Sequence, residues 1–224
     1  ICFAGFLNAQ DEDLARLFSD RKLTGTLIIE SLDGKTTYRH NPERSEERFI
    51  PASTFKIPNT LIALDAGALK DENEVIKWDG QKRFLPDWNR DHALPSAFQV
   101  SCVWFYQELA RRVGDKPYLK YLKEMQYGNM LTGPNVDTFW LDGEIRISAR
   151  EQVNFLRRLV NSDLPFQQKH IDLLKKIMIN EETPEYILRA KTGWAVRTGT
   201  QIGWFVGWLE RKSGEVWLFA LNFD

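Results

Sequence analysis

The tetrapeptide Ser53-Thr54-Phe55-Lys56 combines a nucleophile and a base at a useful spacing. In a helical turn, residues three apart share a face, so the lysine nitrogen can approach the serine hydroxyl. A serine is a weak nucleophile until an adjacent base takes its proton, and a neutral amine or a derivative of it can do so. The same residues also read as a helix N-cap serine followed by a solvated lysine. The location weighs against that plainer reading, because the motif opens the most apolar helix of the chain, where a lysine on the buried side is costly unless it has a function. Three tripeptides keep it company: Ser101-Cys102-Val103, Tyr127-Gly128-Asn129 and Lys191-Thr192-Gly193. Each alone is close to noise, but their joint order is not.

The elements that must position these residues follow from periodicity. Ile57, Leu61, Leu64 and Ala68 recur at steps of four, three and four, which predicts a buried helix ending near Gly67. Pro58 fits only if that helix begins a few residues before it, where lost backbone hydrogen bonds matter least. Upstream, Leu14, Leu17 and Phe18 predict a short helix and residues 25–30 a strand. Asp33-Gly34 then turns the chain into a partner strand over residues 35–40, making a hairpin. Residues 41–48 read as a charged loop. The middle carries helical spacing over residues 100–113, 117–125, 149–161 and 167–179, and strand character returns over 186–190, 203–210 and 216–221, with Ser213-Gly214 as a turn. Strands at both ends and helices between them predict an α/β fold of the α+β type, with an antiparallel sheet formed from both chain termini, flanking helices and an inserted all-helical region. One domain is expected over residues 11–224, its helical part spanning roughly 65–180.

Composition narrows the function classes. Hydrophobic residues make up 43% and charged residues 27% of the 224, which is ordinary globular usage. Thirty Lys plus Arg against 31 Asp plus Glu leave a net charge of −1, without the basic surplus that nucleic-acid binding draws on. Cys2 and Cys102 are too few for a disulfide framework or a four-cysteine zinc site, and read as two free thiols or one bridge. His40, His92 and His170 are scattered without metal-ligand spacing, so no metal is expected. Residues 1–10, apolar and ending in small residues before Asp11-Glu12-Asp13, read either as the tail of a secretory signal peptide or as an apolar first strand. No stretch has the length of a membrane span.

Taken together, the Ser-Thr-Phe-Lys, Ser-x-Val, Tyr-Gly-Asn and Lys-Thr-Gly motifs, with Lys77-Trp78-Asp79-Gly80 and Phe139-Trp140-Leu141, resemble the class D β-lactamases, the oxacillinases, among the penicillin-recognising serine acyltransferases. The resemblance runs over about residues 25–224 and implies a β-lactamase/transpeptidase-like fold. It implies hydrolysis of penicillin-type antibiotics through an acyl-enzyme on Ser53, with Lys56 as general base in the form of a carbamate made with carbon dioxide, and no separate cofactor. It further implies that Val103, Trp140 and Leu141 surround that group, and that Ser101, helped by Lys191, passes a proton to the leaving nitrogen. Backbone N–H groups of Ser53 and Trp194 would form an oxyanion hole, and Lys191, Thr192, Gly193 and Trp194 would bind substrate, with residues 197–201 lining the cleft. The partner expected is a β-lactam, with neither nucleic acid nor a membrane, and the enzyme is expected in the periplasm as a monomer or homodimer. Two features depart from the pattern as read: a C-terminal helix and a carboxylate-binding arginine are both expected beyond Asp224. A β-lactam sensor domain, which acylates without turnover, shares the motifs and is the alternative. A transpeptidase would bring further domains.

Overall fold

The computed structural model describes residues 11–197 and 199–224. The signal-peptide reading of residues 1–10 and the state of Cys2 therefore lie outside the described residues. At the N-terminal side, helix α1 (Glu12–Asp20) is capped by the Asp11 carboxylate, which accepts from Leu14 N. Strands β1 (Gly25–Ser31) and β2 (Thr37–His40) form the expected hairpin. Its turn is tied by Asp33 Oδ1, which accepts from Ser31 Oγ and Lys35 N, so β2 starts two residues later than its sequence pattern predicts.

The stretch read as a charged loop contains a short helix α2 (Pro42–Glu46), with Pro42 in its first turn and the Asn41 side chain capping Arg44 N. A 3-10 turn (Ala52–Phe55) then runs into α3 (Lys56–Asp65), which leaves Pro58 in the first helical turn, where it breaks nothing. The helix expected over residues 100–113 starts three residues later than its spacing predicts. Helix α4 (Leu94–Gln99) comes first, a sharp turn spans Val100–Cys102, and α5 (Val103–Val113) follows. The break sits at Ser101, whose φ of 55° is incompatible with a continuing helix. Three more helices follow, α6 (Asp115–Met125), α7 (Ala149–Val160) and α8 (Gln168–Ile177). A capping box between Ser148 and Glu151 starts α7. Ile179, the last residue of the helix expected over 167–179, instead opens strand β3 (Ile179–Glu182), a short, acidic edge strand.

Strands β4 (Tyr186–Ala195), β5 (Ile202–Arg211) and β6 (Val216–Phe223) complete an antiparallel sheet of order β2-β1-β6-β5-β4-β3. Pairing of β1 with β6, Leu27 opposite Leu221, closes the sheet across the two ends of the chain, as the sequence predicts. Both sheet faces are apolar. Ile28, Val206, Trp208, Leu218 and Ala220 are buried beneath the helical layer, while Leu27, Ile29, Phe205, Phe219 and Leu221 line the opposite face. A sheet with this pattern is made to be covered on both sides. No helix among the described residues is long and apolar enough to cross a membrane.

Candidate active site

The 3-10 turn carrying Ser53 sits on a buried aromatic platform. Phe55 stacks on Trp140 with centroids 5.7 Å apart and meets Phe139 edge-on at 5.0 Å and Tyr127 at 5.7 Å. This packing pulls the next residue, Lys56, fully inside. Its Nζ donates to Ser53 Oγ at 2.8 Å and lies 5.3 Å from the centre of the Tyr106 ring. Burial first, then the positive charge of Lys191, holds the Lys56 amine well below the ordinary lysine range. The arrangement therefore pairs a serine hydroxyl with an amine that loses its proton easily, which is what activation of a weak nucleophile requires.

Strand β4 forms the opposite wall. Strand β3 pairs with it only at Ile187–Arg189, so from Lys191 onward the β4 edge is open and runs beside the Ser53 turn. Gly193 permits that approach, since a Cβ there would lie 3.0 Å from both Pro51 O and Thr54 Cγ2. Lys191 is buried against the Phe98 ring, and burial lowers its pKa to about 8. Its Nζ donates to Thr192 O at 3.0 Å, with Thr192 Oγ1 at 3.4 Å, rather than to Ser101. Trp194 is exposed, with its indole N–H on Gln201 Oε1 at 3.1 Å, at the start of the loop expected to line the cleft. In that loop Arg197 pairs with Asp142 at 3.0 Å, next to Leu141.

Ser101 enters from the α4–α5 turn, which is fixed by Cys102 N donating to Ala97 O at 2.8 Å. The Cys102 thiol is free and buried, and burial pushes its pKa up to about 11. Val103 packs against the core that contains Trp140 and Leu141. Trp140 Nε1 is buried without a hydrogen-bond partner among the described residues.

Residues 24–224 match the family model described as "Penicillin binding protein transpeptidase domain". Beta-lactamase OXA-48 of Klebsiella pneumoniae is 46% identical over 92% of this chain and 78% of its own length. OXA-20 of Pseudomonas aeruginosa is 43% identical over 96% of this chain and 80% of its own. The crystal structure of the class D enzyme YbXI from Nostoc superposes with a TM-score of 0.91 at 44% identity, over 94% of this chain and 89% of that one. The chain belongs to the class D β-lactamases. Membership in this family makes it a serine β-lactamase that hydrolyses β-lactams. FUS-1 (OXA-85) from Fusobacterium nucleatum subsp. polymorphum gives a TM-score of 0.93 at 39% identity, covering 96% of this chain and 90% of its own.

For a class D β-lactamase, sequence reasoning pairs Ser53 with Lys56, which the structure brings into contact, but misses what supports them. Tyr106 faces Lys56 from α5, its hydroxyl bonded to Thr60 at 2.8 Å, and Gln152 of α7 reaches under the serine turn. Helical spacing marks both as inward-facing, but no local signal marks which loop they meet.

Proposed function

We propose that the chain opens penicillin-type lactams by attack of Ser53 Oγ on the carbonyl carbon, with a carboxylated Lys56 serving as base. The observation that carries this reading is the 2.8 Å contact between Ser53 Oγ and a wholly buried Lys56 amine. In the forward step a C–O ester bond forms and the lactam C–N bond breaks. The Ser53 proton leaves on the Lys56 side, and Ser101 hands a proton to the departing nitrogen. A water molecule then cleaves the ester, returning Ser53 and releasing the opened acid. Backbone N–H groups of Ser53 and Trp194 stabilise the oxyanion, a contribution of roughly 3–4 kcal/mol per donor in other acyl-transfer enzymes. Lys191, with Thr192, Gly193 and Trp194 along the open β4 edge, holds the substrate carboxylate by a charge-assisted contact.

Two observations support a carbamate on Lys56. Carboxylation needs a neutral amine, which burial favours, and the resemblance to the family sets the unpartnered indole N–H of Trp140, with Val103 and Leu141, around the modified lysine. When present, the group offers an anionic oxygen that accepts a proton near neutral pH in both acylation and deacylation. Action in the periplasm rests on the signal-like composition of residues 1–10.

Steady turnover of a chromogenic penicillin-like substrate, enhanced by added bicarbonate, is the expected result. A single stoichiometric burst followed by hours in the acylated state would replace this reading with that of a β-lactam sensor. Ser53→Ala should abolish hydrolysis, and persistent turnover in that variant would remove Ser53 from the mechanism.

A further inference from the structure

Beneath Ser53, the Thr54 hydroxyl is fully buried and donates to Pro51 O at 2.7 Å, across the same turn that Thr54 N closes onto that carbonyl at 3.1 Å. A hydroxyl has one proton, and Pro51 takes it. The 3.0 Å contact from Gln152 Nε2 to Thr54 Oγ1 must therefore be donated by the amide, which fixes the orientation of the Gln152 side chain. Gln152 is itself fully buried on α7. Its Oε1 and the Tyr127 hydroxyl have no partner of ordinary hydrogen-bond geometry, although Tyr127 lies close enough to Thr54 and Gln152 to interact with both.

This turn needs holding. Ala52, the residue before the nucleophile, has a φ of 47°, a left-handed conformation that a non-glycine residue keeps only when its surroundings impose it. Pro51 O lies on one side of Ala52 and Thr54 on the other, so the Gln152–Thr54–Pro51 chain spans the strained residue and Ser53 together. A buried amide placed there for packing alone would be a poor choice, because an apolar side chain of equal size avoids the unpaired Oε1.

We propose that Gln152 is a positioning residue for the nucleophile: by donating to Thr54 it locks the turn that aims Ser53 Oγ and its backbone N–H at the lactam carbonyl. The proposal rests on the assignment of Ser53 as nucleophile. The Gln152 side chain hydrogen-bonds to Thr54 and not to Ser53 or Lys56, so in this proposal it acts on the geometry of the turn and not on substrate capture or on the Lys56 amine.

A double-mutant cycle tests it, using Gln152→Met, which keeps length and bulk, Thr54→Val, and the pair together, with rates expressed per acylatable site. Each single variant should lose roughly tenfold in kcat, in keeping with a displacement well under 1 Å. KM should stay within about twofold and the bicarbonate response should be unchanged, while the double variant should lose no more than the worse single one. Losses that multiply, or a Gln152→Met enzyme whose melting temperature falls while kcat holds, overturn the proposal. Gln152→Glu gives a second reading independent of packing. Its acid form can donate to Thr54 and its carboxylate cannot, so its kcat should fall with rising pH before that of the parent does. A profile parallel to the parent overturns the proposal as well. If Ser53→Ala still hydrolyses, the nucleophile assignment itself fails; if it is dead and the cycle is multiplicative, only the role of Gln152 falls.

Discussion

At residue scale, the candidate site holds two lysines with different surroundings. Lys56 is displaced from its ordinary range by burial and by Lys191, and Lys191 by burial alone. Lys56→Ala should lower kcat by roughly 10²–10⁴-fold, the usual worth of a positioned base, without abolishing substrate binding, as steady-state kinetics would show. Trp140→Phe removes one N–H and little volume. It should leave an enzyme whose kcat climbs further with added bicarbonate than the parent's does, measured by titrating bicarbonate at fixed pH. The Lys191 value gives a pH window. Holding an anionic group requires the charged amine, so kcat/KM should decline above about pH 8. Lys191→Arg, which stays charged, should move that alkaline limb upward even where its maximal rate is lower. The stability effect has the opposite sense. A lysine with a folded pKa of about 8 against 10.5 when unfolded is more protonated in the unfolded chain between those values, so its contribution to stability rises with pH across that interval.

At the scale of elements, the site depends on how closely β4 approaches the Ser53 turn. Gly193→Ala places a Cβ 3.0 Å from Pro51 O and Thr54 Cγ2, so strand and turn must part by a few tenths of an ångström. With Ser53 as the proposed nucleophile, we expect roughly tenfold lower kcat and a small change in melting temperature, because the displacement falls on the Ser53 turn and not on the core. The sequence shows most of these elements, since strongly periodic segments such as α3, α7 and β5 announce themselves. It does not show the break at Ser101, because residues 94–113 keep an apolar stripe through it: Phe98, Cys102, Phe105 and Leu109 are all buried. Nor does it show β3, whose Asn and two Glu suit an exposed edge and not a strand interior. The motif residues were legible because their order is joint. Gln152 and Tyr106 were not, because their partners Thr54 and Thr60 lie 98 and 46 residues away.

Across the whole molecule, one buried ionic cluster ties the N-terminal hairpin to α7. Glu30 on β1 pairs with Arg150 at 2.6 Å and with Arg157, and accepts from Thr37 Oγ1 at 3.1 Å. Burial alone would raise the Glu30 carboxyl, but the hydrogen bond and charge of Arg150, with help from Thr37 and Arg157, outweigh it and leave the pKa below 4.5. A lowered carboxylate stabilises the fold above its unfolded pKa, and that stabilisation is lost as the pH falls through the folded value. Glu30→Gln removes the charge that Arg150 and Arg157 share while each keeps other contacts, and should cost about 1–3 kcal/mol, read from urea unfolding near neutral pH, with a smaller difference from the parent in acid.

The pairing of β1 with β6 also has a meaning in time. While the chain is being made, β1 emerges early with one edge covered by β2 and the other bare. Its partner residues 217–223 follow every other described element. Closing so long a loop is entropically slow, and an apolar strand with an open edge invites pairing with another chain meanwhile. Yield of this enzyme in a cell should therefore respond to chaperone supply and growth temperature more steeply than its equilibrium stability would suggest.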